Sequence, residues 1–325
     1  MPSAPISSVA SALNFGSCKT VISGAASTSQ EYTALRHSVN VNLRWCVYAP
    51  TYNYDVGSTI VRLHTAIAML GAIDGDTIGS VHESAGTKSK EFPLFIPNST
   101  FTDDSVLTVA VAEWILTGHD LVELLHTYFD TYPGRGYGGM FYRWAQGRRR
   151  DPYNSFGNGA AMRVSPVGFA CESIEEVLGR AAESAAVTHN HPEGIRGAQA
   201  TATAIFLARR GDDKDQIKRT LQAQFGYDLS ARLEQIRPAY AFDETCQGTV
   251  PQALSAFLES TSYEDAIRNA ISLGGDADTL ACITGGIAEA YYGGIPQDLA
   301  APVRSMLDKR LLAVVDRFRE RFGLL

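Results

Sequence analysis

Gly274-Gly275-Asp276-Ala277-Asp278-Thr279 runs straight into Leu280-Ala281-Cys282-Ile283, and this junction of an acidic turn with an apolar helical run decides how the chain is read. A counterpart lies far upstream, where Thr102-Asp103-Asp104-Ser105 precedes Val106-Leu107-Thr108-Val109-Ala110. Either segment alone reads as a helix cap, since Asp and Thr are preferred at the N-cap and carboxylates complement the helix dipole. A cap needs one side chain, however, and each segment supplies two carboxylates plus a threonine. The surrounding residues are small and apolar, and burying that many uncompensated charges is costly. A shared cation removes the cost. With oxygen ligands only, and no His or Cys at ligand spacing, magnesium is favoured over zinc, with calcium and manganese as alternatives.

Outward from the two segments the pattern is helical. Apolar residues recur at helical spacing over 60–70, and Gly71, Gly75 and Gly79 follow at intervals of four. Each glycine costs about 1 kcal/mol relative to Ala in a helix, so such a stripe is kept where another backbone or a ligand comes close. Further helices are predicted over 105–116, 121–132, 174–186, 194–209, 215–224, 253–259, 263–272, 279–292 and 301–322, separated by loops rich in Gly and Pro. Without an internal repeat or a flexible linker, the expected fold is all-α: a single multi-helix domain over 58–325 behind an irregular extension, 1–57. The stretch 41–54 is aromatic and β-branched and reads as an extended piece packed on the body.

Bulk composition narrows the function. The chain has 325 residues, 45% hydrophobic content and a formal net charge of −7, enough for a substantial core and a poor match to nucleic-acid phosphates. The basic run Arg148-Arg149-Arg150 is local and reads as a solvated loop. Five scattered cysteines, none in a Cys-x-x-Cys spacing, argue against a disulfide framework and for a reducing compartment. No apolar run reaches membrane-spanning length.

Three further features carry chemistry. Gly75-Asp76-Thr77-Ile78-Gly79-Ser80-Val81-His82-Glu83 places Glu83 just beyond the glycine stripe, where in isolation it would be an ordinary surface glutamate. Asp76 is as well suited to holding a loop as to touching a ligand. Ser155-Phe156-Gly157-Asn158-Gly159-Ala160-Ala161-Met162-Arg163 and Thr188-His189 complete the set.

In their order along the chain, from Gly71–Gly79 through Thr102–Ser105, Ser155–Arg163 and Thr188-His189 to Gly274–Thr279, these pieces resemble the ADP-ribosylglycohydrolases over roughly Val61 to Gly294. The resemblance implies a helical fold with a dinuclear magnesium centre (manganese as the alternative) in a cleft. Thr102, Asp103 and Asp104 would bind from one side and Asp276, Asp278 and Thr279 from the other, with Asp278 as the bridge. The cations would orient a ribose diol beside the scissile anomeric carbon. Glu83 matches the acid of the family's serine-type members, and the acid–base role stays open among Glu83, Asp103, Asp104 and Asp276. Ser155, Phe156, Gly157, Asn158 and Gly159 would cradle the diphosphate through backbone amides, although Asn and Gly also make plain turns. Phe156 would stack on a ring of ADP-ribose, and His189 would contact phosphate or ribose. Gly138, in the glycine loop 134–139, and Gly275 would line the same cleft.

The implied partners are ADP-ribose or an ADP-ribosylated protein, with no membrane, nucleic acid disfavoured, and the chain a monomer. The serine-rich start resembles the leader of a bacterial type III effector, with a disordered terminus or a partner-binding lid as alternatives. The expected setting is therefore cytoplasmic, including a host cytoplasm. A rival function is a non-catalytic ADP-ribose-binding or immunity protein that blocks an ADP-ribosyltransferase. Intact ligands in both acidic segments favour the enzyme.

Overall fold

A computed structural model describes residues 69–323 in full and, as backbone, four strands of three residues each. The chain divides into two units, Met1–Ala49 and Pro50–Leu325. In the first, β1 (Leu13–Phe15) pairs antiparallel with β2 (Cys18–Thr20). In the second, β3 (Tyr54–Val56) pairs antiparallel with β4 (Thr59–Val61). The helix expected to begin at residue 60 is therefore wrong at its start. Thr59, Ile60 and Val61 are β-branched and follow Gly57-Ser58, a two-residue hairpin signal that outweighs a short apolar periodicity. Residues 62–68, and most of the stretches expected to form an extension or an extended piece, lie outside the described residues.

The remaining described elements are helices, as the sequence predicts, and their centre is a pair drawn from opposite ends of the unit. Helix α1 (Leu70–Gly79) is buried at every position and makes its most extensive contact with α13 (Ala277–Tyr292). The glycine stripe is the reason they can meet. A Cβ on Gly71 would lie 2.5 Å from the Gly285 carbonyl oxygen, one on Gly79 would lie 2.5 Å from Asp278 Cα, and one on Gly75 would fall on the Ala281 carbonyl. Gly71 faces Gly285, Gly75 faces Ala281 and Gly79 faces Asp278, so the helices run antiparallel, backbone against backbone.

Around this seam, α8 (Pro192–Arg210) packs against α5 (Gly159–Met162), α6 (Ser165–Ala170), α7 (Ile174–Ala186), α11 (Cys246–Leu258) and α13. Helix α2 (Asp103–Thr117) joins from the other side, packed on α1, α3 (Leu121–Thr131) and α15 (Lys309–Phe322). Between these lie α4 (Gly139–Gln146), α9 (Lys214–Phe225), α10 (Leu233–Ile236), α12 (Tyr263–Ile271) and α14 (Gln297–Met306). Side-chain caps set many starts: Asp120, Ser173, Asp213, Thr245, Ser262 and Asp308 each accept a backbone N–H of the first turn. Asp308 explains why the single helix predicted over 301–322 is two: its carboxylate caps α15 after the extended Leu307. Helix α11 starts well before residue 253 because Thr245 caps it. The short α4, α5, α6 and α10 occupy segments rich in Gly, Pro or polar residues that the sequence pattern assigns to loops. The basic run is a paired surface: Arg148 bonds Asp130, and Arg150 bonds Asp120 and Glu123. No described helix is long and apolar enough to cross a membrane.

Candidate functional site

The two acidic segments meet at one end of the α1–α13 seam. Thr102 caps α2 in the ordinary way, its Oγ1 accepting from Asp104 N at 3.2 Å. Asp276 does not cap α13: it occupies the N-cap position with no side-chain hydrogen bond to the helix. The cap reading thus holds for one segment and fails for the other. Asp76 reaches across from α1 to fix the first segment, accepting from Thr102 N at 2.9 Å, Thr102 Oγ1 at 2.7 Å, Ser105 N at 3.1 Å and the Ser105 hydroxyl.

Two carboxylate triads result. Asp76, Asp104 and Asp278 each offer an oxygen within 4.8 Å of the other two, and so do Glu83, Asp276 and Asp278. Asp278 belongs to both. All of these acids except Glu83 are buried. Among the described residues no Lys or Arg forms an ion pair with any of them or with Asp103. Burial, and then repulsion from neighbouring acids, holds Asp103, Asp104 and Asp278 well above the ordinary carboxylate range. Asp76 is raised by burial against the pull of its four donors.

The donor set fits a hard divalent cation. Among the described residues Asp104 Oδ1 is buried with no hydrogen-bond partner, and Asp104 Oδ2 meets the Thr102 and Thr279 hydroxyls, both at 3.4 Å. Oxygen ligands, excess negative charge and an unpartnered carboxylate oxygen together describe a cluster that could hold metal ions. Asp103 lies outside both triads. Its backbone N–H donates to Arg135 O at 2.7 Å, and Oδ1 lies 3.4 Å from the place a Cβ on Gly136 would take, which sets the glycine loop over it. Around Gly138, the N-cap of α4, nothing lies within 4 Å of a Cβ position.

Asn158 ties the acids to the loop 155–159. Its Nδ2 donates to Asp276 Oδ2 at 2.7 Å and to Thr249 Oγ1 at 3.1 Å. The loop is held open by backbone bonds to the start of α11: Asn158 N to Glu244 O at 2.8 Å and Cys246 N to Phe156 O at 2.9 Å. Ser155 Oγ accepts from Gly157 N at 3.0 Å. Phe156 is 46% exposed, so it is not a core aromatic. His189 stands beside the glycines, its Nε2 lying 3.1 Å from a Cβ position on Gly159 and 3.7 Å from one on Gly157. Gly275, at φ +86°, has no room for a side chain because a Cβ would meet Ala241 O at 2.8 Å. Glu83 is on the exposed turn after α1, its carboxyl raised by partial burial and then by Asp276.

Asp76 and Asn158 are therefore structural hubs as well as site residues. Ser105 and Thr249 were missed by sequence reasoning, and no local signal marks a single hydroxyl inside a helix as the support of a buried acid.

A sequence profile of the ADP-ribosylglycohydrolases matches residues 62–324. The chain belongs to the ADP-ribosylglycohydrolase family. It is 28% identical over 305 residues to ADP-ribosylhydrolase ARH3 of Homo sapiens, covering 69% of this chain and 84% of that protein. It is 30% identical over 161 residues to ADP-ribosylarginine hydrolase Tri1 of Pseudomonas putida, covering 46% of this chain and 42% of the relative. A solved chain from an ADP-ribosylglycohydrolase-related protein complex aligns with TM-score 0.60 and 25% identity, over 79% of this chain and 96% of its own length. ADP-ribosylglycohydrolase membership sets the class of chemistry, hydrolysis of a glycosidic bond to ADP-ribose.

Proposed function

We propose that this chain is a magnesium-dependent hydrolase that releases ADP-ribose from a modified acceptor, with serine-linked or other O-linked ADP-ribose as the preferred class and arginine-linked as the alternative. One observation carries the reading: two carboxylate triads share Asp278 and are joined by Asn158 to a glycine loop suited to a diphosphate. Asp76, Asp104 and Asp278 with Thr102 and Thr279 would hold one cation, and Glu83, Asp276 and Asp278 the other, with manganese as a substitute. When bound, the ions supply charge compensation and Lewis acidity at the ribose.

The chain's own residues supply the rest. The backbone of the loop 155–159 and Asn158 would orient the diphosphate, while the exposed Phe156 ring would stack on adenine or ribose. Hydrolysis breaks the bond from the anomeric carbon to the acceptor and forms one to water oxygen. One proton leaves that water and one reaches the departing group. Glu83 is the group best suited to hold or accept a proton at its carboxyl oxygen. It is accessible, partial burial and then Asp276 raise its proton affinity before a cation binds, and it stands at the edge of the second triad. Asp103 and Asp104 are the other candidates for that role.

Glu83 is also what favours the O-linked class, through its serine-type sequence context. An ADP-ribosylated protein is the substrate this reading expects, acted on by a monomer. Free, buried Cys171, Cys246 and Cys282 support a reducing, cytoplasmic setting. The test is release of ADP-ribose from serine-, arginine- and O-acetyl-linked substrates with and without magnesium. Turnover should require magnesium and be fastest on the O-linked substrates. Release that is independent of magnesium, or confined to the arginine-linked substrate, would overturn the corresponding half of the proposal.

A further inference from the structure

Arg163, directly after α5, is fully buried and makes no ion pair with a carboxylate among the described residues. Its Nη2 donates to Ser184 O at 2.9 Å and to Thr188 Oγ1 at 2.8 Å, while Nε and Nη1 have no partner. A buried guanidinium without a counter-charge is expensive, and filling core space does not explain it. What it touches is one step from the loop 155–159. Thr188 Oγ1 lies 2.7 Å from His189 Nδ1, and the opposite edge of that ring, at Nε2, faces Gly157 and Gly159. The Thr188 carbonyl also accepts from Tyr153 N at 3.4 Å and Ser155 N at 3.5 Å, at the entry to the same loop.

We propose that Arg163, acting through the Thr188 hydroxyl, fixes His189 as the neutral tautomer with its proton on Nε2, so that the ring offers a hydrogen-bond donor to an oxygen of ADP-ribose at the glycine loop. The ligand rests on the function proposed above; the tautomer does not. A threonine hydroxyl has one proton and two lone pairs. Arg163 occupies a lone pair with a charged donor, which polarises the hydroxyl toward donating and makes it a poor acceptor for a second N–H. Its proton then goes to His189 Nδ1, and a neutral imidazole that accepts at Nδ1 carries its proton at Nε2. Burial, and then the charge of Arg163, push the imidazolium well below its ordinary range, consistent with a ring that stays neutral. The phenol of Tyr153 is the other polar group beside Thr188, and a Thr188 proton directed there would reverse the tautomer. Arg163 and Thr188 are thus positioning residues, and the donor at Nε2 does not depend on the ambient pH.

Long-range 15N NMR of histidine-labelled full-length protein reads the tautomer directly, and titration calorimetry with ADP-ribose in magnesium buffer reads its consequence. Wild type should show His189 protonated at Nε2 only. Thr188→Val should give mixed tautomers and weaken ADP-ribose by about tenfold, the scale of one misdirected hydrogen bond. Thr188→Ser should restore both. His189→Gln, whose amide nitrogen can stand at the Nε2 position, should bind better than His189→Asn. Arg163→Gln is the direct probe, and if it does not fold, Thr188→Val carries the test alone. A wild-type ring protonated at Nδ1, or a Thr188→Val protein with unchanged tautomer and affinity, would overturn the relay. Nε2 protonation without ADP-ribose binding would support the relay and count against the proposed ligand.

Discussion

Acids are buried at both ends of the α1–α13 seam, and the two ends arrange them differently. At the Asp278 end, Asp76, Asp104 and Asp278 crowd within 4.8 Å, and at both ends a carboxylate oxygen lacks a partner among the described residues: Asp104 Oδ1 here, Asp74 Oδ1 and Glu289 Oε1 there. At the other end Asp74 and Glu289 each have a neutral donor: Tyr263 OH to Asp74 Oδ2 at 2.8 Å and Gly71 N to Glu289 Oε2 at 2.9 Å. Burial raises Asp74 to about 7 and Glu289 to about 8, so a proton can neutralise each. Low dielectric alone therefore does not make a metal site. At the crowded end repulsion from several acids adds to burial, which a shared cation would relieve under the function proposed above, whereas at the other end a proton on each acid is enough.

The largest effect should come from Asp278, the residue common to both triads. Asp278→Asn should reduce ADP-ribose release by at least about 10²-fold, since even outer-shell partners of a metal cost that much. The metal-free variant should melt no lower than wild type, because one repelling charge is gone. A marked loss of metal-free stability would break the comparison by making the Asp278 end a structural cluster too.

Next is pH. Glu289 rises from its ordinary 4.5 to about 8 on folding, so the folded protein keeps a proton that the unfolded chain releases. The stability this contributes is complete below pH 4.5 and is lost progressively as pH climbs to 8, on the order of a few kcal/mol in all. The groups facing Glu289 are Asp74, which raises it, and the amides of Met69, Leu70 and Gly71, which lower it. Glu289→Gln keeps an acceptor for those amides and should flatten the decline in urea unfolding measured across this range. An unchanged slope would remove the proton account of this end.

Magnesium should act on one end only. At a hundredfold excess over its dissociation constant it should stabilise wild type by about 2.7 kcal/mol for each bound ion, an effect kept by Glu289→Gln and lost by Asp278→Asn in thermal melts. Smallest of all, Glu289→Gln should leave turnover near neutral pH within about twofold of wild type, as expected for a substitution away from the site that perturbs no contact there.

Much of this was legible in the sequence. Two acidic segments before apolar helices, a glycine stripe and a Gly-Asn-Gly loop were readable because each uses residue types at short, fixed spacing. The stripe at Gly71, Gly75 and Gly79 predicts a close approach, and α13 makes it. What stayed hidden depends on partners distant in the chain. Thr102 and Asp276 look equally like caps, and only the second is diverted, by an asparagine that folding brings to it. Asp76 reads as a loop holder or a ligand; it holds the Thr102–Ser105 turn and also stands in a triad. Thr59-Ile60-Val61 shows the opposite limit, where three β-branched residues fit either period and a neighbouring turn decides.

Asp76, Asp104 and Asp278 lie at opposite ends of the helical unit, and that separation bears on how the protein is made. Most of the unit must be synthesised before Asp278 can reach α1, and the contact joining the halves is among the longest in sequence the fold contains. Until then Asp76 already has its donors from the Thr102–Ser105 turn, while Asp104 lacks the acid that completes its ion site. A chain stopped short of α13 would lack Asp278 and leave a row of glycines uncovered. Under the function proposed above, cation binding would therefore wait for α13, with only α14 and α15 still to be made.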